Sequence, residues 1–311
     1  MGVRETLGVY LRGIAMGAAD AVPGVSGGTI ALLTGIYPRL IGAVTAVEPD
    51  RVLSVLGTPF PDRRSEGIAA FREMDGLFLA ALGLGIASAV VTVSRVLEHA
   101  MEAYPAATFG GFFGLIGASA WLLRGQMRLD TRGRWAAGIA GFGVAFLLSG
   151  QAEGALGHAL PVTFLAGAIA VTAMILPGVS GSLLLLLLGQ YEYMVTQLRK
   201  FVDGLLALVS GNTTGLPAET ATIVTFLAGG VFGLFTVSHA VKWALDRRRA
   251  ETMTFLVALV VGALRAPVVQ AGSELPAGWT NSSIVVFLVT GGVGAALVLA
   301  VERVAGRDAL E

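Results

Sequence analysis

One pentapeptide, spelled twice, constrains this chain more than any other feature. Pro23-Gly24-Val25-Ser26-Gly27 recurs as Pro177-Gly178-Val179-Ser180-Gly181. The likeness continues past the core: Gly35 and Tyr37 follow the first copy at the spacing at which Gly189 and Tyr191 follow the second. The offset is constant (177 − 23 = 154 and 191 − 37 = 154). An internal duplication is the economical explanation.

Each copy sits between apolar runs, at 7–22 and 30–47 for the first and at 162–176 and 183–188 for the second. Proline removes a backbone donor and glycine loosens the chain, so a helix is expected to break at each motif. At membrane depth such a break survives only where protein buries it or where it lines a wet cavity. Matched interruptions in two halves of an apolar chain point to a transporter's binding site. The competing reading is a Pro-Gly packing kink without a ligand.

Composition decides the solvent. The 311 residues are 55% hydrophobic and 14% charged, with a mean hydropathy of +0.77. A soluble domain carries about 25% charged residues, so this is an integral membrane chain. With no Cys there is no disulfide, thiol chemistry or Cys-ligated metal. His99, His158 and His239 have no metal-ligand spacing, and no metal or other cofactor is expected. A formal net charge of zero without a basic cluster beyond loop size argues against nucleic acid. The 43 glycines suit helices packed backbone to backbone in lipid. The N-terminal apolar stretch holds Arg12 and Asp20 and no small-residue cleavage site, so it is not read as a removable signal.

Each half then reads as one broken segment followed by three spans. The spans are expected at 77–97, 106–123 and 135–149, and at 221–245, 253–269 and 284–301. Most approach the ~20 residues that a crossing helix needs. A polar stretch at 48–75 is read as a loop or surface segment, and a second polar stretch, 197–219, is interrupted by a short apolar run at 205–209. The repeat extends weakly into the spans, where 85–94 resembles 229–238. Three crossings per half is an odd number, so if the broken segments dip in and return, the second half is inverted.

Loop charge favours that plan. Arg124, Arg128, Arg132 and Arg134 belong to one loop, and Arg247, Arg248 and Arg249 to another. Excess Arg marks cytoplasmic loops, and 150–160 holds none. Re-entrant broken segments put both Arg-rich loops and both termini in the cytoplasm. The expected fold is thus an all-α integral membrane protein of two inverted repeats, 1–150 and 151–311. Each repeat is a re-entrant broken-helix hairpin plus three transmembrane helices, in one membrane domain with the two tips meeting near the midplane.

The tips carry the candidate chemistry. A half-helix opening near Ser26 or Ser180 directs free N–H groups at the tip. Gly27, Gly28 and Gly181 let backbone approach a ligand, and Ser26, Thr29, Ser180 and Ser182 add hydroxyls. Together they make a nest for an oxyanion such as phosphate, although the hydroxyls could instead cap their own helices. Pro23, Gly24, Pro177 and Gly178 shape the breaks. Asp20, three residues before Pro23, costs roughly 2.5–3.5 kcal/mol at the bilayer centre and so needs a role. That role is proton or cation coupling, or a tie to Arg12 or Arg39. Arg12, Arg39 and Arg265 are candidate partners for an anionic head group, Arg265 alternatively a snorkelling terminus. Tyr37 and Tyr191, with Trp121, Trp135, Trp243 and Trp279, fit interfacial anchors.

The run Met16-Gly17-Ala18-Ala19-Asp20, continuing through Pro23 to Tyr37, together with 176–191, resembles the polyprenyl-phosphate translocases of the PopT type. The resemblance covers nearly the whole chain. It implies return of a lipid carrier phosphate, undecaprenyl or dolichyl phosphate, from the outer to the inner leaflet of the cytoplasmic membrane. The implied partners are the bilayer, that lipid and a proton or sodium ion. Two other functions compete. A membrane phosphatase acting on polyprenyl diphosphate would need an acid, a base and a phosphate clamp, and no Glu pair occurs in an apolar span. A secondary transporter of a small anion would keep the fold but lose the lipid.

Overall fold

The computed structural model describes residues 2–58, 63–149, 157–175, 180–212 and 216–308. Its helices are α1 (Val3–Ala21), α2 (Gly27–Leu33), α3 (Tyr37–Thr45), α4 (Pro49–Leu56), α5 (Arg64–Glu73), α6 (Gly76–Ala103) and α7 (Pro105–Leu123), followed by α8 (Arg132–Ser149), α9 (Leu160–Ile175), α10 (Gly181–Leu187), α11 (Tyr191–Val209), α12 (Thr220–Ala263), α13 (Arg265–Glu274) and α14 (Asn281–Asp308). There is no strand among the described residues. Contacts divide the chain into one unit of Met1–Ala19 with Gly27–Val90 and another of Asp20–Ser26 with Val91–Glu311.

Within the first unit, α1 lies directly on the backbone of α6. A Cβ added at Gly13 would come within 2.3 Å of the Leu82 carbonyl oxygen, and one at Gly85 within 2.2 Å of the Tyr10 oxygen. Glycine is thus what allows the approach, as in lipid-embedded helix pairs generally. Around this seam Val9, Met16, Ala31, Ile36, Phe78 and Leu82 form a small core. Arg39 closes it from the polar side. Its Nε donates to Asp75 Oδ2 (2.6 Å) and a terminal nitrogen donates to Asp75 Oδ1 (3.1 Å), with a further bond to Glu5 (3.1 Å). The same guanidinium lies 4.5 Å over the Phe78 ring.

Within the second unit, α9 rests on α12 by the same construction. A Cβ at Gly167 would meet the Phe226 oxygen at 2.1 Å, and one at Gly229 would meet the Phe164 oxygen at 2.0 Å. These residues are the counterparts of Gly13, Leu82, Gly85 and Tyr10 at two constant offsets (167 − 13 = 164 − 10 = 154; 226 − 82 = 229 − 85 = 144). Two more close pairs complete the unit. α7 packs on α14, where a Cβ at Gly114 would fall on the Gly291 oxygen, and α8 packs on the later part of α12, where one at Gly141 would lie 2.2 Å from the Phe255 oxygen. Phe109, Ile116, Leu183, Leu186 and Tyr191 centre the core between them.

The breaks after α2 and α10 are identical in bonding. Gly35 has φ +71° and Gly189 φ +64°, a backbone region that glycine enters without the Cβ clash. Gly35 N–H donates to Leu32 O and Ile36 N–H to Ala31 O, while Gly189 donates to Leu186 O and Gln190 to Leu185 O. This is a Schellman cap at each site. The residue after the glycine both closes one helix and precedes Tyr37 or Tyr191, the first residue of the next. In the first copy α2 and α3 meet at 119°.

Several elements differ from the sequence expectation. Residues 197–219 were expected as a polar segment, yet α11 runs unbroken to Val209. Tyr191, Met194, Val195, Leu198, Val202, Leu205 and Val209 recur at helical spacing and give it an apolar face, with the charges on the other. The polar segment 48–75 holds two short helices, α4 and α5. The span expected at 253–269 lies within a candidate crossing segment, Trp243–Glu274, inside which the helix restarts at Arg265, two residues before Pro267. Arg248 (φ −142°, ψ 51°) kinks α12 within the Arg-rich loop. Among the described residues, four helices are long and apolar enough to cross a membrane, or five counting the bent pair α2–α3. The chain is thus a multi-pass membrane protein. α8 begins with Arg132 and Arg134, which leaves only 135–149 apolar.

Candidate functional site: two motifs on one core

α1 ends at Ala21, and Pro23, fully buried, forbids its continuation. The chain turns at Gly24 (φ +90°), where a Cβ would come 2.9 Å from the Ile116 nitrogen of α7. Only glycine satisfies both demands. Two side chains then hold the turn. Ser119 Oγ of α7 makes hydrogen bonds to the Gly24 oxygen (2.7 Å) and to Leu115 O (2.9 Å). The Tyr191 hydroxyl of α11 donates to the Ala21 oxygen (2.6 Å), one of the carbonyls a helix C-terminus leaves unpaired.

Tyr191 was expected at the membrane interface, and the structure corrects that. It is 2% exposed and packs edge-on against Phe112 with centroids 6.0 Å apart. Its ring serves the core and its hydroxyl serves the first motif. Tyr37 is half-buried. Trp121, Trp135, Trp243 and Trp279 remain exposed.

Val22 and Val25 of the first motif pack against the cluster that contains Leu183, Leu185, Leu186, Leu187 and Tyr191 of the second. Motifs 154 residues apart in the chain are thereby built onto one core. Their serines differ in state. Ser180 Oγ accepts from Leu183 N–H (3.3 Å), capping α10, and is bonded to Ser182 Oγ (2.9 Å). Ser26 is 7% exposed, and its hydroxyl has no hydrogen-bond partner among the described residues. A buried hydroxyl without a partner costs about 1–3 kcal/mol and marks a place where a ligand can supply the missing bond. Gly27, Gly28, Gly181 and Ser182 are also buried, and Thr29 half-buried. Pro177 and Gly178 lie outside the described residues.

Asp20 is 9% exposed at the last turn of α1. Arg12 lies exposed on α1. Arg39 is engaged with Asp75 and Glu5, as above. Arg265 donates to the Phe146 oxygen (2.8 Å) and lies 4.4 Å over the Phe146 ring, tying the start of α13 to the end of α8. The structure thus gives Arg39 and Arg265 tertiary roles that the sequence reading left open.

Other residues went unnoticed in the sequence. Gln190, the residue between Gly189 and Tyr191, is 1% exposed and donates to the Gly157 oxygen (2.9 Å) while its Oε1 meets His158 Nδ1 (3.2 Å). A chain of ion pairs, Glu98–Arg199–Asp203–Arg95, joins the end of α6 to α11, with Thr196 donating to Glu98 at 3.2 Å. The spacing of Arg199 and Asp203, four apart, was the available signal. It becomes visible only once α11 is known to be a helix.

Comparison with known proteins decides the family. The model of the undecaprenyl phosphate translocase-like family matches residues 16–283. The chain belongs to that family. Within it, a polyprenyl-phosphate transporter of Vibrio cholerae serotype O1 is 36% identical over 263 residues, covering 83% of this chain and 76% of that protein. A polyprenyl-phosphate transporter of Staphylococcus aureus is 28% identical over 268 residues, covering 82% and 84%. Both family members are named as transporters rather than enzymes. No solved structure matches. The family match includes both motifs, α6 through α13, and the Tyr191–Ala21 bond.

Proposed function

We propose that this translocase-like chain carries a polyprenyl monophosphate across the cytoplasmic membrane, from the outer to the inner leaflet, and that the paired motifs hold the phosphate. The observation that carries the reading is the buried hydroxyl of Ser26, unpartnered among the described residues, in a motif seated on the same core as its duplicate. The names of the relatives supply the substrate class. The proposed ligands are Ser26, Gly27, Gly28 and Thr29 of the first motif and Ser180, Gly181 and Ser182 of the second. The Ser180 hydroxyl is already bonded to Ser182 and to Leu183 N–H, whereas that of Ser26 has no partner among the described residues, so Ser26 is the stronger donor to a phosphate oxygen. The isoprenoid chain stays in lipid while the head group passes through the protein, which removes the cost of exposing a phosphate to hydrocarbon.

Two finer points belong to the same proposal. The repeats are inverted, with re-entrant hairpins and both termini in the cytoplasm, as the Arg distribution supports. Asp20 couples the cycle to a proton or sodium gradient: neutralised by the ion, it tolerates the phosphate, and on losing the ion it repels it. The test is flipping of a labelled polyprenyl phosphate in liposomes. Wild-type protein should accelerate it and Ser26→Ala should slow it with the fold intact. Acceleration only of a soluble anion, with none of the lipid, would overturn the reading.

A further inference from the structure

We propose that the groove between α4, α5 and the start of α6 is a second, separate lipid site that holds an anionic phospholipid of the surrounding bilayer by its phosphate. The groove encloses about 1110 Å³ and is lined by Val55, Thr58, Arg64, Ile68, Phe71, Arg72 and neighbours. Arg64, Ile68, Phe71 and Arg72 stand at positions i, i+4, i+7 and i+8 of α5, hence on one helical face. An apolar pair bracketed by arginines, on a short helix beside a span, is the pattern of a helix lying in the membrane interface. The location agrees: α6, whose apolar window qualifies it as a crossing helix, begins at Gly76, which together with Leu77 lines the same groove.

Charge selects the occupant. Asp75 also lines the groove, but both of its oxygens are bonded to Arg39. Arg51, nearby on α4, is paired with Glu48 and Glu73. Arg64 and Arg72 make no ion pair among the described residues, and both are exposed. The groove therefore offers two guanidiniums and the Thr58 hydroxyl above an apolar wall of Val55, Ile68, Phe71 and Leu77. That set matches a phosphodiester head group with the first carbons of its acyl chains. The shape is fixed by close contacts: a Cβ at Gly67 would meet Ser54 O at 2.6 Å, and one at Gly76 would strike the Phe71 ring at 2.3 Å. A bilayer's own anionic lipid is present at the interface in large excess, so it occupies such a site ahead of a scarce carrier lipid.

Native mass spectrometry of the full-length protein tests this, with phosphatidylglycerol and phosphatidylcholine of distinct mass supplied together. Wild type should retain phosphatidylglycerol preferentially. The pair Arg64→Gln and Arg72→Gln should weaken that retention about tenfold or more, while Arg247→Gln with Arg249→Gln should not. Should the double variant fail to fold, Arg72→Gln alone should show a partial loss. Undiminished preference in the folded variant would overturn the site, as would equal loss in the Arg247/Arg249 control. Displacement by millimolar inorganic phosphate would assign the site to a free anion instead. Displacement by equimolar polyprenyl phosphate, abolished in the double variant, would make it a cargo site. Transport and Ser26 binding are read separately, so this proposal and the proposed function fail independently.

Discussion

At the scale of single residues, two serines at matched positions do different work. Ser26→Ala should weaken head-group binding by roughly tenfold to a hundredfold, the worth of a hydrogen bond to a charged group, and should leave the melting temperature unchanged or slightly higher, since it removes a buried hydroxyl with no partner among the described residues. Ser180→Ala removes an N-cap, so its main effect should be a loss of about 0.5–2 kcal/mol in stability, read in a melting curve. Equal binding defects with no change in melting would mean that both serines are ligands alone. Tyr191→Phe strands the Ala21 carbonyl and should cost about 1–3 kcal/mol. Asp20→Asn separates coupling from a structural tie: flipping measured against an imposed gradient should lose its gradient dependence while binding persists. Full gradient dependence in a well-folded Asp20→Asn protein would sink the coupling role.

At the scale of elements, glycine governs which helices can touch. Gly114 presses on the Gly291 carbonyl and Gly167 on that of Phe226, so Gly114→Leu or Gly167→Leu should push its helix pair apart and abolish expression of folded protein, whereas Gly292→Leu, exposed and with nothing within 4 Å of an added Cβ, should fold. A fluorescence-detected size-exclusion profile distinguishes the outcomes. Gly24→Ala meets both a left-handed backbone and the Ile116 nitrogen, so it should be more damaging than Gly35→Ala, which meets only the first. The break at the first motif and the long spans of α6, α7 and α14 were legible because Pro, Gly and unbroken apolar runs act locally. α11 was not. Its charged residues mask an apolar face at helical spacing, and only the partner surface, Glu98 and Arg95 included, makes a helix there favourable.

At the scale of the whole molecule, the proposed inverted arrangement sets which side of the membrane each loop occupies. Cysteines introduced one at a time into this Cys-free chain, as Ala155→Cys and Arg248→Cys, should label from opposite sides, with position 155 reached from outside. Same-side labelling would end the inverted arrangement.

The sequence by itself determined the solvent, the duplication, the places where helices must break and the residue types available to meet a phosphate. Each follows from local chemistry: hydropathy, the missing proline N–H, the freedom of glycine. Tertiary structure alone decided which chemistry each residue performs. Tyr37 and Tyr191 hold the same place in their repeats, yet Tyr191 turns inward to bond the first motif. Ser26 and Ser180 follow the same Pro-Gly-Val, yet Ser180 caps a helix while no partner for Ser26 is found among the described residues. Identical words in the chain acquire different meanings because a hydrogen bond depends on what lies within about 3 Å. For a residue in a folded core, most of those neighbours come from far away in the sequence.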